Sequence, residues 1–414
     1  MARDTFYTAV DIGTDKVTSI MARVGSEGEL KVLGTGVVTS QGMQKGRIEN
    51  IVEVQEAVRT SMEEAQRYIG DAAPADVYTS VTGSHLSSLN TKEVVENPDD
   101  VGDISGKLLD RLLRGSFPDV GHDQEVLHVI PIGYHVDGMS GIRNPVGLHG
   151  NLVEVEAHVV MGDSITLKNT VKAIEAGKAS VKSMVLHSLA SAESTLTGDE
   201  RELGVVLADI GGGTTDIVIY RQGQPWYSAV IPVGGSQLTR DLSVALKTPL
   251  YMTEEMKIKW GSVMPETIPA DEEVVIPSFQ GQPKHSLSRR ILCDPLNARM
   301  MELIKLIVLK VRQSGLREFP TGGIVLTGGG AEMTGLTDLV QKTLGGQVRI
   351  AFPEGIAGLP AQLRKPAFSA AVGLLLWGIK HQGETRSSMN GGRSIMGNKS
   401  WRWGLGRKKT ATLR

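Results

Sequence analysis

Two carboxylates, Asp11 and Asp209, each close an apolar run and are each followed at once by a glycine turn, AVDIGTDK near the start of the chain and LADIGGGTTD halfway along it. Glycine permits the positive φ values and close backbone approach that let successive N–H groups converge on phosphate oxygens. A carboxylate beside such a turn can hold a hydrated Mg²⁺, because that ion keeps several waters and takes one or two carboxylates together with phosphate. In the first turn Gly13 and Thr14 supply donors, and Lys16, five residues after Asp11, supplies a cation for a β-phosphate. In the second, Gly211, Gly212, Gly213, Thr214 and Thr215 repeat the arrangement. A third cluster, LTGGGAEM, places Gly328, Gly329, Gly330 and Glu332 where an adenine and ribose would be taken. Each turn alone reads as well as an ordinary hairpin. The pair, followed by the third cluster, points to a nucleotide between two half-domains. No GxxxxGK[ST] occurs and no GxGxxG opens a helix after a strand, which disfavours P-loop and Rossmann chemistry.

The elements that must position these residues fit a chain of 414 residues and net charge −2, about twice the length of one ordinary domain. Hydrophobic residues at 40% and charged residues at 22% exclude wholesale disorder, collagen-like repeats and coiled coil. One cysteine, Cys293, forbids an intramolecular disulfide and a Cys-based zinc site and fits a reducing, cytosolic setting. The likeness of DIGTDKV to DIGGGTTDI puts one copy near the start of each half. Apolar periodicity predicts helices over residues 51–68, 164–176, 237–246, 253–259, 294–315 and 368–380, with a further helix start near Ala331. Strands alternating with helices in two halves imply α/β layers. Residues 84–160, a run of short strands and turns with its own small helix, read as an inserted subdomain. Its histidines, His122, His128, His135, His149 and His158, match no metal-ligand spacing. The longest uncharged apolar stretch, 367–379, is too short for a membrane-spanning helix.

The three glycine motifs resemble the phosphate and adenosine signatures of the actin, sugar-kinase and heat-shock chaperone ATPase superfamily. Within it the chain resembles the FtsA family of bacterial cell-division actin homologues. That resemblance rests on GMQKGRIENIVEVQEAVRTSMEEAQ, VYTSVTGSHLSSLNTKEVV, HVIPIGYHVDGMSGIRNPVGLHGNLVEVEAHVV and HSLSRRIL, and extends from residue 5 to about 378. It implies an actin-like (ribonuclease H-like) α/β fold, two half-domains around a nucleotide cleft with an FtsA-type insert. The implied division is 1–83 (1A), 84–160 (inserted 1C), 161–195 (return to 1A), 196–247 (2A), 248–312 (2B), 313–381 (return to 2A and closing helix), 382–398 (flexible linker) and 399–414 (tail). The cofactors implied are ATP and Mg²⁺, the latter held through water by Asp11 and Asp209.

Matched residue by residue, the resemblance carries the phosphate roles to the turns already named and the ribose and base contacts to Glu254 and Lys257 in TEEMKIKWG. Those two, three apart on one helix face, also read as a solvated ion pair. Two positions depart from the family. Asp15 stands where a small hydroxyl residue is common, and its charge repels phosphate unless it is turned away or bridged through Mg²⁺. In VLHSLASAES, His187 lies near the place where actin-like filament proteins often put a Glu that orients the attacking water. His187 is therefore the candidate catalytic residue, with a buried structural histidine as the alternative, and the chain is at most a weak ATPase.

The family also implies self-assembly into filaments, binding of the acidic-hydrophobic C-terminal tail of FtsZ through Arg290 and Arg299, contacts of the insert within the filament or with later division proteins, and a peripheral place on the cytoplasmic side of the cell membrane at the division site. Arg290 belongs to a helix with a basic start and an apolar stripe of Ile291, Leu292, Leu296, Leu303, Ile304 and Ile307. From Gly383 onward eight basic residues face one acidic residue, so the end of the chain carries +7 and the rest −9. In NKSWRWGLGRKKTATLR, Trp401, Trp403 and Leu405 supply an apolar side and Arg402, Arg407, Lys408 and Lys409, with Lys399, face anionic headgroups. A nucleic-acid or partner-binding tail and an unstructured solubilising end are the other readings of that patch, and no nucleic-acid partner is expected. The competing functions are a PilM-like pilus-assembly scaffold and an ATP-dependent small-molecule kinase, for which no second-substrate carboxylate base stands out.

Overall fold

In the computed structural model, which describes residues 5–25, 29–67, 69, 76–98, 102–276, 285–356 and 358–381, the first half begins with three strands in hairpin succession. These are β1 (Thr5–Ile12), β2 (Lys16–Val24) and β3 (Leu30–Thr39). Two short strands, β4 (Met43–Gln44) and β5 (Arg47–Ile48), lead to α1 (Ile51–Gln66), which is capped by the Asn50 side chain, and then to β6 (Asp76–Val81). The α1 helix lies so close to the sheet that a Cβ on Gly36 would stand 1.9 Å from the carbonyl oxygen of Ser61.

The chain then leaves for an insert of β7 (Leu86–Glu96), α2 (Gly106–Gly115), β8 (Gln124–Val136), β9 (Met139–Ile142) and β10 (Leu152–Asp163), ordered β7-β10-β8-β9 in one sheet. Alternate residues of β10 point to opposite faces. Val153, Val155, Ala157 and Val159 join Leu108, Leu112 and Leu113 of α2 in the insert's own core. The first half resumes with α3 (Ser164–Glu175), β11 (Ser180–Leu186) and α4 (His187–Thr195), completing a sheet ordered β11-β6-β1-β2-β3.

After α5 (Gly198–Leu203) the second half repeats the plan with β12 (Val205–Ile210), β13 (Thr215–Arg221) and β14 (Gln224–Ile231) in hairpin succession. There follow α6 (Gly235–Leu246), α7 (Leu250–Trp260), the β15 (Glu273–Ile276) and β16 (His285–Ser288) pair, α8 (Arg289–Gln313), β17 (Ile324–Thr327), α9 (Leu336–Leu344), β18 (Val348–Ile350) and α10 (Ser369–Lys380). Its sheet is ordered β14-β13-β12-β17-β18. In both sheets the first strand pairs antiparallel with the second and parallel with the fourth. The two halves are therefore the same unit, as the repeated motif predicts. Helices α4 and α10 fill the space between the sheets, sharing a core with Tyr7 and Tyr78 of the first and Leu207 and Val218 of the second.

Predicted helices are found within a few residues, with three differences. The helix expected over 294–315 begins earlier, at Arg289, with Pro295 inside it. Ile291 is not on its core stripe: it is 54% exposed, whereas Leu292, Leu296, Leu303, Ile304 and Ile307 are buried. The start expected near Ala331 is only a 3₁₀ turn, Gly329–Glu332, and the α-helix waits until Leu336, because Gly335 at φ 82° interrupts the helical backbone.

Candidate functional site

The two repeated turns have the same internal geometry. Gly13 N donates to Lys16 O and Gly211 N to Thr214 O, both at 2.9 Å, so each glycine turn is closed by one hydrogen bond across its hairpin. The turns face each other across a cleft of about 420 Å³ between the half-domains, a size suited to a nucleotide. Asp11, Gly13, Thr14, Asp15 and Lys16 line one wall, and Asp209, Gly211, Gly212 and Thr214 the other. The roof carries Gly328, Gly329, Gly330, Glu332, Glu254 and Lys257. The turns are in contact: a Cβ on Gly212 would stand 2.1 Å from Asp15 Oδ2, and one on Gly213 would stand 2.6 Å from Thr14 Oγ1. Gly213 thus serves turn-to-turn packing rather than the cleft wall. Thr215 is likewise turned into the sheet, where its hydroxyl donates to Val233 O at 2.8 Å.

At the base of the cleft, His187 at the start of α4 lies between the two strand-end carboxylates. Its Nδ1 is 3.5 Å from Asp11 Oδ1 and its Nε2 is 3.1 Å from Asp209 Oδ2. Burial pulls the imidazole pKa down, but Asp209 and Asp11 outweigh it and hold His187 well above its ordinary value. Burial likewise pushes Asp11 up, and His187, Ser80 and Lys16 together bring it below the usual carboxylate range. The Ser80 hydroxyl donates to Asp11 at 2.5 Å, and the Ser191 hydroxyl donates to Asp209. Once protonated, this imidazole has no lone pair for a water; its Nε2 faces Asp209 within hydrogen-bond distance, while its Nδ1 makes no hydrogen bond and meets Asp11 only as a nearby charge.

A third carboxylate, Asp216, joins this group from the far arm of the second turn. The hairpin register places it directly opposite Asp209, so two like charges sit side by side on β12 and β13. Burial, with Asp209 adding to it, pushes Asp216 up to about 6 against the opposing pull of His187, Thr82 and Thr214. Thr82, at the end of β6, donates to Asp216 at 2.6 Å and so ties one half-domain to the other at the floor of the cleft. The turn pattern itself carried the signal, because closing Gly211 onto Thr214 fixes which residues face Asp209. Thr82 and Lys365 also line the cleft, and no motif marked them.

Among the described residues no three His, Cys, Asp or Glu side chains converge as a protein metal cage. Mg²⁺ in such a site needs only one or two carboxylates plus waters and phosphate, and the buried pair Asp11 and Asp209 fits that donor set. The ion would supply charge neutralisation for phosphate oxygens. In the roof Lys257 Nζ contacts Glu254 at 2.7 Å, Thr239 Oγ1 at 2.8 Å and Gly235 O at 3.2 Å, so the i,i+3 pair exists and also faces the cleft.

Other expected sites lie elsewhere. Arg290 donates to Ile268 O at 2.6 Å, and Arg299 makes a fork with Asp241 at 2.5 and 3.1 Å and also meets Glu302. Both arginines stand on α8 and neither lines the cleft, although Met300 beside Arg299 does; their nine-residue spacing separates them by about 13 Å along the axis. The linker 382–398 and tail residues Trp401, Arg402, Trp403, Leu405, Arg407, Lys408 and Lys409 lie outside the described residues. Among the described residues no helix is long and apolar enough to cross a membrane.

Comparison with known proteins agrees with the fold. Residues 206–373 match the family model for cell division protein FtsA, and residues 83–161 match the SHS2 domain inserted in FtsA. The chain is 35% identical to the cell division protein FtsA of Pseudomonas aeruginosa over 391 residues, 93% of this chain and 92% of that one. Identity to the Escherichia coli K12 protein of the same name is 35% over 377 residues, 89% of each chain. Among solved structures, the PilM–PilN type IV pilus biogenesis complex aligns with a TM-score of 0.65 at 15% identity, covering 90% of this chain and 98% of that one. Spiroplasma citri MreB5 bound to ADP aligns with a TM-score of 0.54 at 12% identity, covering 91% and 96%. Those two likenesses show an actin-like fold. The duplicated sheets, the insert where its own family model falls and the identity over nine-tenths of the length establish that the chain belongs to the FtsA family of actin-like cell-division proteins.

Proposed function

We propose that the chain binds ATP with Mg²⁺ in the cleft, polymerises, and tethers FtsZ filaments to the cytoplasmic face of the membrane at the division site, where it recruits later division proteins. The observation that carries the nucleotide half of this reading is the convergence of two equivalent glycine turns on one cleft, each beside a buried strand-end carboxylate. In it Gly13, Thr14, Gly211, Gly212 and Thr214 hold phosphates, Lys16 balances their charge, Asp11 and Asp209 orient the hydrated cation, and Glu254, Lys257, Gly328, Gly329, Gly330 and Glu332 enclose the nucleoside. ATP acts as a clamp that favours the filament-competent closure, a population shift rather than rapid turnover. Arg290 and Arg299 are the proposed contacts for the FtsZ tail; Arg299 must then exchange its fork with Asp241 for the partner's carboxylate. The +7 tail supplies the membrane contact.

A three-component flotation tests the whole proposal. FtsZ is expected to rise with anionic liposomes only when the ATP-loaded full chain is present, and not with a chain ending at Asn398. The PilM likeness at 15% identity concerns the fold. Binding of a pilus-protein N-terminal peptide in place of an FtsZ tail peptide would favour that second reading.

A further inference from the structure

The insert is covalently part of the first half-domain, yet one face of its sheet rests on the edge strand of the second. The face opposite the insert's own core carries Ser88 and Asn90 of β7 and His158 of β10, with His158 directly opposite Asn90 in register. All three reach β14, one of the two edge strands of the second sheet. The hydrogen bonds form one continuous chain. Asn90 Nδ2 donates to Trp226 O at 3.2 Å, His158 Nδ1 lies 2.8 Å from Asn90 Oδ1, His158 Nε2 lies 3.0 Å from Ser228 Oγ, and the Ser88 hydroxyl donates to Ser228 O at 2.7 Å. A neutral imidazole completes it, Nδ1–H donating to the amide oxygen and Nε2 accepting from the serine hydroxyl. His158 is fully buried, and that burial holds its pKa down at about 4. Trp226 is itself anchored, its indole N–H donating to Ser314 O at 2.9 Å. Immediately after β9, Arg143 meets Glu202 of α5 at 2.5 Å, a second bridge between insert and second half-domain.

We propose that this junction is a latch that sets how far the nucleotide cleft opens. The half-domains cannot separate at the phosphate turns without displacing β14 from β7 and β10, or else carrying the insert along and flexing its two connections to the first half. One of those connections starts at Thr82, which holds Asp216 at the cleft floor, and runs through Gly83 at φ 133°. Nucleotide release and the position of the insert are therefore linked. A ligand that closes the cleft stabilises the latch, and a partner that displaces the insert speeds release, since coupling between two sites is reciprocal.

The proposal rests on nucleotide binding in the cleft, and its test separates the two. Release of a fluorescent ATP analogue from the full chain in Mg²⁺ is measured for wild type, Ser88→Ala/Asn90→Ala, Arg143→Glu, Glu202→Arg and the double reversal, with thermal melting as the control for folding. The Ser88→Ala/Asn90→Ala chain, losing three cross-domain hydrogen bonds, is expected to release the analogue about tenfold faster with little change in melting. Each single charge reversal is expected to speed release by a few-fold and the double reversal to restore it. Wild-type release rates in every variant overturn the latch. Should the wild type bind no nucleotide, the nucleotide reading fails and the latch is judged alone by amide exchange of the nucleotide-free chains. Faster exchange along both β7 and β14 in Ser88→Ala/Asn90→Ala supports it, and unchanged exchange overturns it.

Discussion

His187 holds two buried carboxylates that would otherwise repel each other across the base of the cleft. Breaking a buried charge pair by removing one partner costs about 3–5 kcal/mol, because the remaining charge stays desolvated. His187→Ala is therefore expected to destabilise the nucleotide-free chain by about that amount, and millimolar Mg²⁺ should recover part of it by taking over the role of cation. Urea denaturation with and without Mg²⁺ checks this, and an unchanged midpoint in both would sink it. A second residue-scale expectation concerns acid. His158 titrates at about 4 in the folded chain against 6.5 ordinarily, so the unfolded chain takes up the proton first. Its contribution is complete above pH 6.5 and is lost as pH falls towards 4, at about 1.4 kcal/mol per pH unit. His128, fully buried and held down at about 3, acts with the same sign, while Asp216, pushed up to about 6, opposes both. Replacing His158 with Gln removes one of these protons, so the variant's stability should fall less steeply than wild type between pH 6 and 4.5. Most of the cleft's residues were legible because glycine turns and strand-end carboxylates are local patterns. Asp216 was legible only indirectly, through the strand register that the Gly211–Thr214 turn sets, and Thr82 was not, since its role comes only from the meeting of two half-domains.

At the scale of elements, α10 crosses α4 at a distance that only glycine allows. A Cβ on Gly373 would stand 1.7 Å from the carbonyl oxygen of Ala190, a helix backbone atom that cannot rotate away. Gly373→Ala is therefore expected to destabilise the chain by about 2–3 kcal/mol despite alanine's better helix propensity, as overpacking does. The denaturation midpoint measures it, and an unchanged or higher midpoint would show that the two helices part freely. The same helix pair explains what the sequence hid. The α10 helix was readable from its uncharged run, whereas α4 has Ser188, Leu189, Ala190, Ser191, Ala192, Ser194 and Thr195 all buried, so it has no polar face and no 3.6-residue rhythm. For α8 the mismatch was of another kind. Asp294 and Pro295 look like a first turn, yet the helix is already under way at Arg289, with Cys293 Sγ accepting the Ser262 N–H beneath it. Strand order was legible only as a repeat, because the shared 3-2-1-4-5 arrangement of the two sheets depends on pairing between strands distant in sequence.

For the whole molecule the decisive asymmetry is electrostatic. Eight basic residues against one acidic residue from Gly383 onward leave that end at +7 on a chain of net −2, so an anionic surface attracts the tail and repels the body. Gly404 and Gly406 each cost a helix about 1 kcal/mol, and Lys408 and Lys409 cut short the apolar side that Trp401, Trp403 and Leu405 begin. On the proposed membrane reading, charge rather than deep insertion supplies most of the affinity, which would distinguish this sequence from a long apolar anchor. Each basic residue near an anionic leaflet is worth about 1 kcal/mol. Reversing Lys408 and Lys409 to Glu removes two such attractions and adds two repulsions of similar size, about 4 kcal/mol together and so nearly a thousandfold in affinity. The full chain is expected to float with anionic vesicles and not with zwitterionic ones at about 0.1 M salt, and to be released at about 1 M, where the screening length falls to about 3 Å. Flotation that survives high salt and the double reversal would mean that the two tryptophans insert on their own and that the tail is hydrophobic in action. In that case the positive charge would serve orientation, and filament formation would no longer be needed to multiply a weak contact into a stable one.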